Sequence, residues 1–204
     1  KDLAKRLAVY EAAATVFAQY GFRRTTMNDI AQAAGISRPA LYLMFDNKEH
    51  LFHELASYRL DQAIAEATAV LSGDSAFTNR FIGALLVYEK IYYEPVANSP
   101  HGEELMDINQ SLATEVMKEG YTRLVATLAI ALRDAQKAGE VDFSSVPLSS
   151  KAFVELLLAS IVGIKKKVSS NAEFRKKIQL VSRIFLQAIS VQADHKSQIN
   201  SGKI

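Results

Sequence analysis

The sequence has no cysteine and no tryptophan, and its 204 residues include only nine glycines and four prolines. Without cysteine there is no disulfide, no thiolate metal site and no thiol nucleophile, and a reducing compartment, the cytoplasm, is expected. So little glycine and proline excludes collagen-like and loop-rich chains, and 49% hydrophobic against 23% charged residues excludes a disordered one. No apolar run reaches the ~18–20 residues that span a bilayer, and no signal-peptide pattern opens the chain. A membrane partner is therefore not expected. The chain opens on Lys1 rather than Met, and further residues ahead of it are expected. Catalytic patterns are missing too: there is no HExxH, nucleophile elbow, P-loop or GxGxxG context.

Charge of one sign is also scarce, at a net +2, but its distribution is uneven. Residues 1–48 carry seven Lys and Arg against four acids, while the other 156 residues carry 17 against 18. The positive surplus sits in the first quarter of the chain, where an acidic partner would meet it.

Nearly every segment repeats with helical period. Leu3, Leu7, Tyr10, Ala14 and Phe17 recur at steps of three and four, which predicts an amphipathic helix over 2–20. Gly21 supplies its left-handed stop, with Phe22 packing back. Thr26 to Asp29 reads as a capping-box start of a short helix ending at Gly35, and Ser37 caps a third, with Pro39 in its first turn and an end near Met44. Asp46 and Asn47 open a long helix to about 72, and Asp74 and Ser75 another that runs to Pro95. Residues 94–102 read as a loop, 103–139 as helix broken near 109–111, and 139–148 as loop. Two last helices are expected over about 149–168 and 171–192, with a fraying polar tail. No alternating strand pattern of useful length and no repeat occur, so the fold class is all-α, with about nine helices.

Three short helices within 45 residues, the second and third joined by the tight turn Ala34-Gly35-Ile36-Ser37, form a helix-turn-helix pattern whose last helix enters the DNA major groove. Small Ala31 and Ala34 permit close helix approach, and Ile36 and Leu41 supply anchors. Arg38 can reach guanine O6 and N7 together, Asn28 can pair with adenine, and Ala40 can touch a thymine methyl, with Leu43 facing outward. Thr26 can offer an N–H or hydroxyl to a phosphate from a helix start. Lys48 in a first helical turn opposes the helix dipole, so a phosphate clamp explains it better than local stability.

The stretch Gly21 to Leu51 resembles the TetR family of bacterial transcriptional regulators. The resemblance rests on Gly21-Phe22, Thr25-Thr26, Ile30-Ala31, Ala34-Gly35-Ile36-Ser37, Leu41-Tyr42, Phe45, Lys48-Glu49 and Leu51. It covers roughly the first 55 residues; the remainder matches only in length and helical layout. It implies an N-terminal three-helix DNA-binding domain, residues 1–46, and a helical effector-binding and dimerisation domain, residues 47–204. It also implies Tyr42 on a phosphate, completing a DNA-contact set of Thr26, Asn28, Ser37, Arg38, Pro39, Ala40, Tyr42, Leu43 and Lys48. Met44 stands where the family often has His, so a phosphate contact from that place is not expected.

Residues 153–164 are apolar on all sides, which asks for more cover than one small domain supplies. With the following helix they predict a four-helix homodimer interface through Phe153, Leu157, Ile161, Ile164, Phe174, Ile178, Val181 and Phe185. Between the helices of 47–72, 75–94 and 103–138, Tyr58, Phe81, Leu85, Tyr88, Tyr92, Met106, Met117 and Tyr121 are the expected lining of an effector pocket. The expected function is a ligand-responsive regulator, a repressor, that occludes a palindromic double-stranded operator as a homodimer and is released by a small hydrophobic or aromatic effector. It is expected not to be an enzyme and to have no cofactor, no metal and no catalytic residue. Two alternatives stay open: an enzyme on a helical scaffold, for which the His50 and His53 pair beside Glu49 and Glu54 offers a weak metal site, and a ligand-free architectural DNA binder.

Overall fold

The computed structural model describes residues 2–165 and 167–191. The described residues form α1 (Asp2–Tyr20), α2 (Met27–Ala33), α3 (Arg38–Tyr42), α4 (Lys48–Leu71), α5 (Phe77–Tyr88), α6 (Glu94–Ala97), α7 (Gly102–Leu112), α8 (Thr114–Lys137), α9 (Ser150–Lys165) and α10 (Asn171–Ala188). A π-helical stretch, Glu89–Tyr93, joins α5 to α6, so these run on as one rod and nine rods make up the described residues. No helix among the described residues is long and apolar enough to cross a membrane.

Local chemistry sets the N-terminal boundaries. Gly21 and Gly35 end their helices at φ +80° and +65°, where a side chain would be strained. Phe22 folds back on Phe17, ring centroids 5.4 Å apart. Thr26 and Asp29 close a full capping box, Ser37 Oγ accepts from Ala40 N, and Asn47 Oδ1 accepts from His50 N. Ser170 caps α10 the same way.

Several boundaries depart from the pattern-based expectation. Neither Asp74 nor Ser75 caps α5, which starts at Phe77 behind Ala76 without a side-chain cap. The expected loop over 94–102 is half helix, with Pro95 in the four-residue α6 that continues the π-helical stretch and Gly102 opening α7. The break in 103–139 falls at Ala113 rather than 109–111. Helix α3 stops at Tyr42, α9 at Lys165 and α10 at Ala188. Val141 and Ser190 form one isolated β-bridge in the otherwise helical described residues. The predicted fraying tail lies outside the described residues.

Two apolar clusters organise the molecule. One gathers α1–α3 around Phe17, Ile30, Leu41 and Phe45; it takes Leu51, Phe52 and Leu55 from α4 and Leu105 from α7. The other packs the rest of α4 with α5, α8, α9 and α10 around Leu60, Phe81, Leu128, Phe153 and Leu157. Helix α4 belongs to both, and is the covalent and packed link between them.

The expected dimer face needs correction. Phe153, Leu157, Phe174 and Ile178 are buried within the single chain, Ile161 is nearly so, and Ile164, Val181 and Phe185 are half-buried against the same core. The five buried ones have little area left for a partner, while Ile164, Val181 and Phe185 keep part of theirs. The unpartnered apolar side chains of α9 and α10 lie elsewhere: Leu156, Leu180 and Ile184 are 51%, 60% and 62% exposed. A helix apolar all round does present two faces, and the chain's own core takes the one expected for the partner.

Candidate nucleic-acid interface and ligand cavity

Helix α3 is short, and its anchor is Leu41, fully buried beneath it. Around that anchor Ser37, Arg38, Pro39, Tyr42 and Leu43 are exposed and Ala40 is partly so, forming one continuous edge. The Arg38 guanidinium lies 5.5 Å from the Tyr42 ring centroid, which holds the arginine along the helix instead of letting it wander. Leu43 is 89% exposed.

Thr26, Asn28 and Asp29 lie at the start of α2, all exposed. Both donors of Thr26 are engaged: its N–H and its hydroxyl reach the same Asp29 oxygen at 2.8 and 2.7 Å. These two bonds hold the Asp29 carboxyl below the usual carboxylate range. Thr26 would have to release Asp29 to meet a phosphate. Arg6 is also committed, to Glu54 at 3.0 Å and over the Phe45 ring, tying α1 to α4.

Lys48 is where sequence reasoning missed a partner. Its ammonium donates to the carbonyls of Phe22 and Thr25 at 2.7 and 2.8 Å, reaches Arg23 O at 3.5 Å, and sits over the Phe22 ring. It caps the turn between α1 and α2, so a local stability reason does exist for a lysine in the first turn of α4. Lys48→Met is therefore expected to cost about 1.5–3 kcal/mol of stability, read as a lower Tm. A salt-dependence slope flattened by about one unit with Tm unchanged would make it a phosphate clamp instead.

A cavity of ≈ 210 Å³ opens between α5, the π-helical stretch, α8, α9 and α10. Its wall is mainly apolar, from Leu85, Tyr88, Met117, Leu124, Leu158 and Ile161, and it reaches the surface beside Tyr121 and Val162, both exposed. Burial pushes the Tyr88 hydroxyl well above the normal tyrosine range, and Tyr92 beside it adds to this. At one end stand Glu89 and Lys165. Glu89 is 4% exposed and accepts from Arg175 at 3.1 Å. Desolvation raises its pKa and the Arg175 charge opposes that. A smaller cavity of ≈ 100 Å³ lies between α1, α4, the π-helical stretch and α7, and Tyr92 lines both.

Residues 9–55 match the family model of bacterial regulatory proteins, tetR family. The N-terminal domain belongs to the TetR family. Over 53 residues the chain is 47% identical to the probable acrEF/envCD operon repressor of Escherichia coli (strain K12), covering 26% of this chain and 24% of that protein. An uncharacterized HTH-type transcriptional regulator of Bacillus subtilis (strain 168), YhgD, is 23% identical over 166 residues, 80% of this chain and 85% of the relative. Among solved structures, SmeT, the repressor of the Stenotrophomonas maltophilia multidrug efflux pump SmeDEF, superposes with a TM-score of 0.68 at 19% identity, over 92% of this chain and 91% of that one. SmeT in complex with triclosan gives 0.65 at the same identity, over 93% of each chain. DNA binding by the helix-turn-helix and a role in transcription regulation come with the TetR-family domain.

The structure brings together five of the eight side chains expected to line a pocket: Leu85, Tyr88, Tyr92, Met117 and Tyr121. Three are elsewhere. Phe81 is fully buried in the second core, its ring 5.5 Å from Phe77. Tyr58 stacks on Tyr10 at 5.1 Å beside the first core, and Met106 lies in a surface hollow at the start of α7. Conversely Ile161, Phe174 and Ile178, expected at a dimer seam, face the cavity. Glu89, Lys165 and Arg175 were not anticipated, because an acid within an aromatic row signals burial only through a partner 86 residues away. The His50 Nδ1 accepts from Asp46 N–H at 3.2 Å, and no group of three or more His, Cys, Asp or Glu fit for a metal occurs among the described residues.

Proposed function

We propose that this TetR-family chain is a repressor that occupies a palindromic operator as a homodimer and lets go when a small, mostly apolar effector enters the ≈ 210 Å³ cavity. Residues 1–46 read the DNA, and residues 47–204 hold the effector and pair with a second copy. The observation that carries the reading is the α3 edge: Arg38, Pro39, Tyr42 and Leu43 exposed around a fully buried Leu41, with Arg38 lying over the Tyr42 ring. Asn28, Ser37 and Ala40 extend that edge, with Thr26 and Lys48 held by intramolecular partners until DNA displaces them.

One short helix reads few base pairs, so specificity calls for two of them on a twofold axis. Leu156, Leu180 and Ile184 on adjacent helices give the second copy an apolar seam, each side chain offering about 1.5–3 kcal/mol on full burial. That SmeT, which shares the fold, was solved in complex with triclosan supports a small apolar or aromatic effector for this chain's mainly apolar cavity.

Release has a packed route. The π-helical stretch Glu89–Tyr93 lines the effector cavity, and its Tyr92 also lines the smaller cavity against α1 and α4. Beyond it, Ser99 Oγ donates to Ala18 O, and Glu104 accepts from Arg23 N–H, both at 2.7 Å. A shift of this stretch therefore reaches both the end of α1 and the head of α4, the lever that carries α3. Equal half-site spacing in ligand-free and liganded dimers would refute that route.

The test of the reading is selection from a random duplex pool at fixed salt. The chain is expected to enrich a palindrome. Arg38→Ala is expected to cost about 1–3 kcal/mol and relax one base position symmetrically in both half-sites. Enrichment of no sequence at all would overturn the reading, and so would a non-palindromic site.

A further inference from the structure

The effector-cavity end that holds Lys165 lacks something a folded protein normally supplies. The ammonium is buried and has no hydrogen-bond partner among the described residues, although it can donate three bonds. It lies over the Tyr93 ring, which offers a cation a face but no acceptor. The acids nearby share one arginine: Glu89 binds Arg175 at 3.1 Å and Glu94, partly exposed, lies 3.6 Å from it, while Glu89 steadies the Lys165 charge without reaching its ammonium as a hydrogen-bond partner. Lys165 is also the last residue of α9, where the negative end of the helix dipole steadies a cation. A buried charge with open hydrogen-bond donors is costly in a protein interior, and here burial brings the lysine down to about 8 although the Glu89 charge opposes it. The rest of the wall, from Leu85, Tyr88, Met117, Leu124, Ile161 and Phe174, offers almost only carbon and ring faces.

We infer that the cavity takes an amphipathic anion, a hydrophobic or aromatic carboxylate whose head accepts from Lys165 Nζ while its body fills the apolar wall. This rests on the proposed effector reading and adds the ligand's charge to it. A cation would find Glu89 already engaged by Arg175 and would sit against an ammonium with open donors. A neutral ligand would leave that ammonium as it is. A carboxylate turns a buried unsatisfied donor into a charge-assisted hydrogen bond, the strong kind.

The test is calorimetric titration of the full chain with three molecules of one shape: 2-naphthoate, 2-naphthamide and 2-naphthylmethylammonium. Naphthoate is expected to bind at least about tenfold more tightly than the amide, and the ammonium weakest. Lys165→Met should erase the advantage of naphthoate and leave the amide within about threefold, while Lys165→Arg should keep it. The inference is overturned if the ammonium binds as well as naphthoate, if the advantage survives in Lys165→Met, or if none of the three binds at millimolar concentration. The wild-type series decides even if Lys165→Met fails to fold. Operator release is read separately: naphthoate that binds without releasing DNA refutes the regulatory reading and leaves the anion preference standing.

Discussion

Leu180→Glu combined with Ile184→Glu is expected to convert the chain to a monomer. The two side chains are one helical turn apart on α10 and largely exposed, and the neighbouring α9 carries the likewise exposed Leu156. At a twofold seam each substitution enters twice, so four carboxylates would be buried against apolar carbon and against one another. An unpaired buried charge costs about 3–5 kcal/mol, which places the loss of dimerisation at about 10³-fold or beyond. The monomer core does not use these positions, so helical circular dichroism should persist, and Tm should stop depending on protein concentration. Sedimentation should give one chain, with operator affinity falling in step. A double variant that still sediments as a dimer would show that a different surface pairs the chains.

Phe81→Ala is expected to act on stability and not on ligand affinity. Its ring is fully buried between α4, α5 and the rest of the second core, and truncating a buried phenylalanine costs about 3–5 kcal/mol through lost transfer energy and the cavity left behind. For a chain of this size that is a fall in Tm of about 10 °C. Naphthoate titrated below the new Tm should bind as it does to the wild type. Tyr121→Ala makes the contrast: exposed at the cavity mouth, it should change Tm little and weaken naphthoate. If Phe81→Ala left Tm unchanged and removed binding, the phenylalanine would belong to the pocket after all.

How much of this was legible in the sequence depended on range. Gly21, the Thr26–Asp29 box, Gly35, the Ser37 cap and the Leu41 anchor act within four or five residues, and each reads from local spacing alone. The all-α class followed from the same periodicity. What failed is set by long-range pairing. On α9 both faces are apolar, so no pattern tells Phe153 and Leu157, which face inward, from Leu156, which faces out. Lys48 looked free for phosphate because its partners are carbonyls of residues 22–25, and a carbonyl has no letter in a sequence. Tyr58 and Phe81 share a helical pattern with true cavity residues, and only the packing of α4 against two separate clusters sorts them. Glu89 was hidden because its burial depends on Arg175. The π-helical stretch that turns Tyr92 toward two cavities carries no local signal at all.

The central claim is that two copies of the α3 edge read one palindrome. It is tested most directly by comparing the selected full palindrome with a duplex carrying one half-site, at the same salt, with stoichiometry read by sedimentation. The account predicts an even number of chains on the full site and binding to the half-site weaker by about 10²-fold or more. One chain per full site, with the half-site bound equally well, would contradict it.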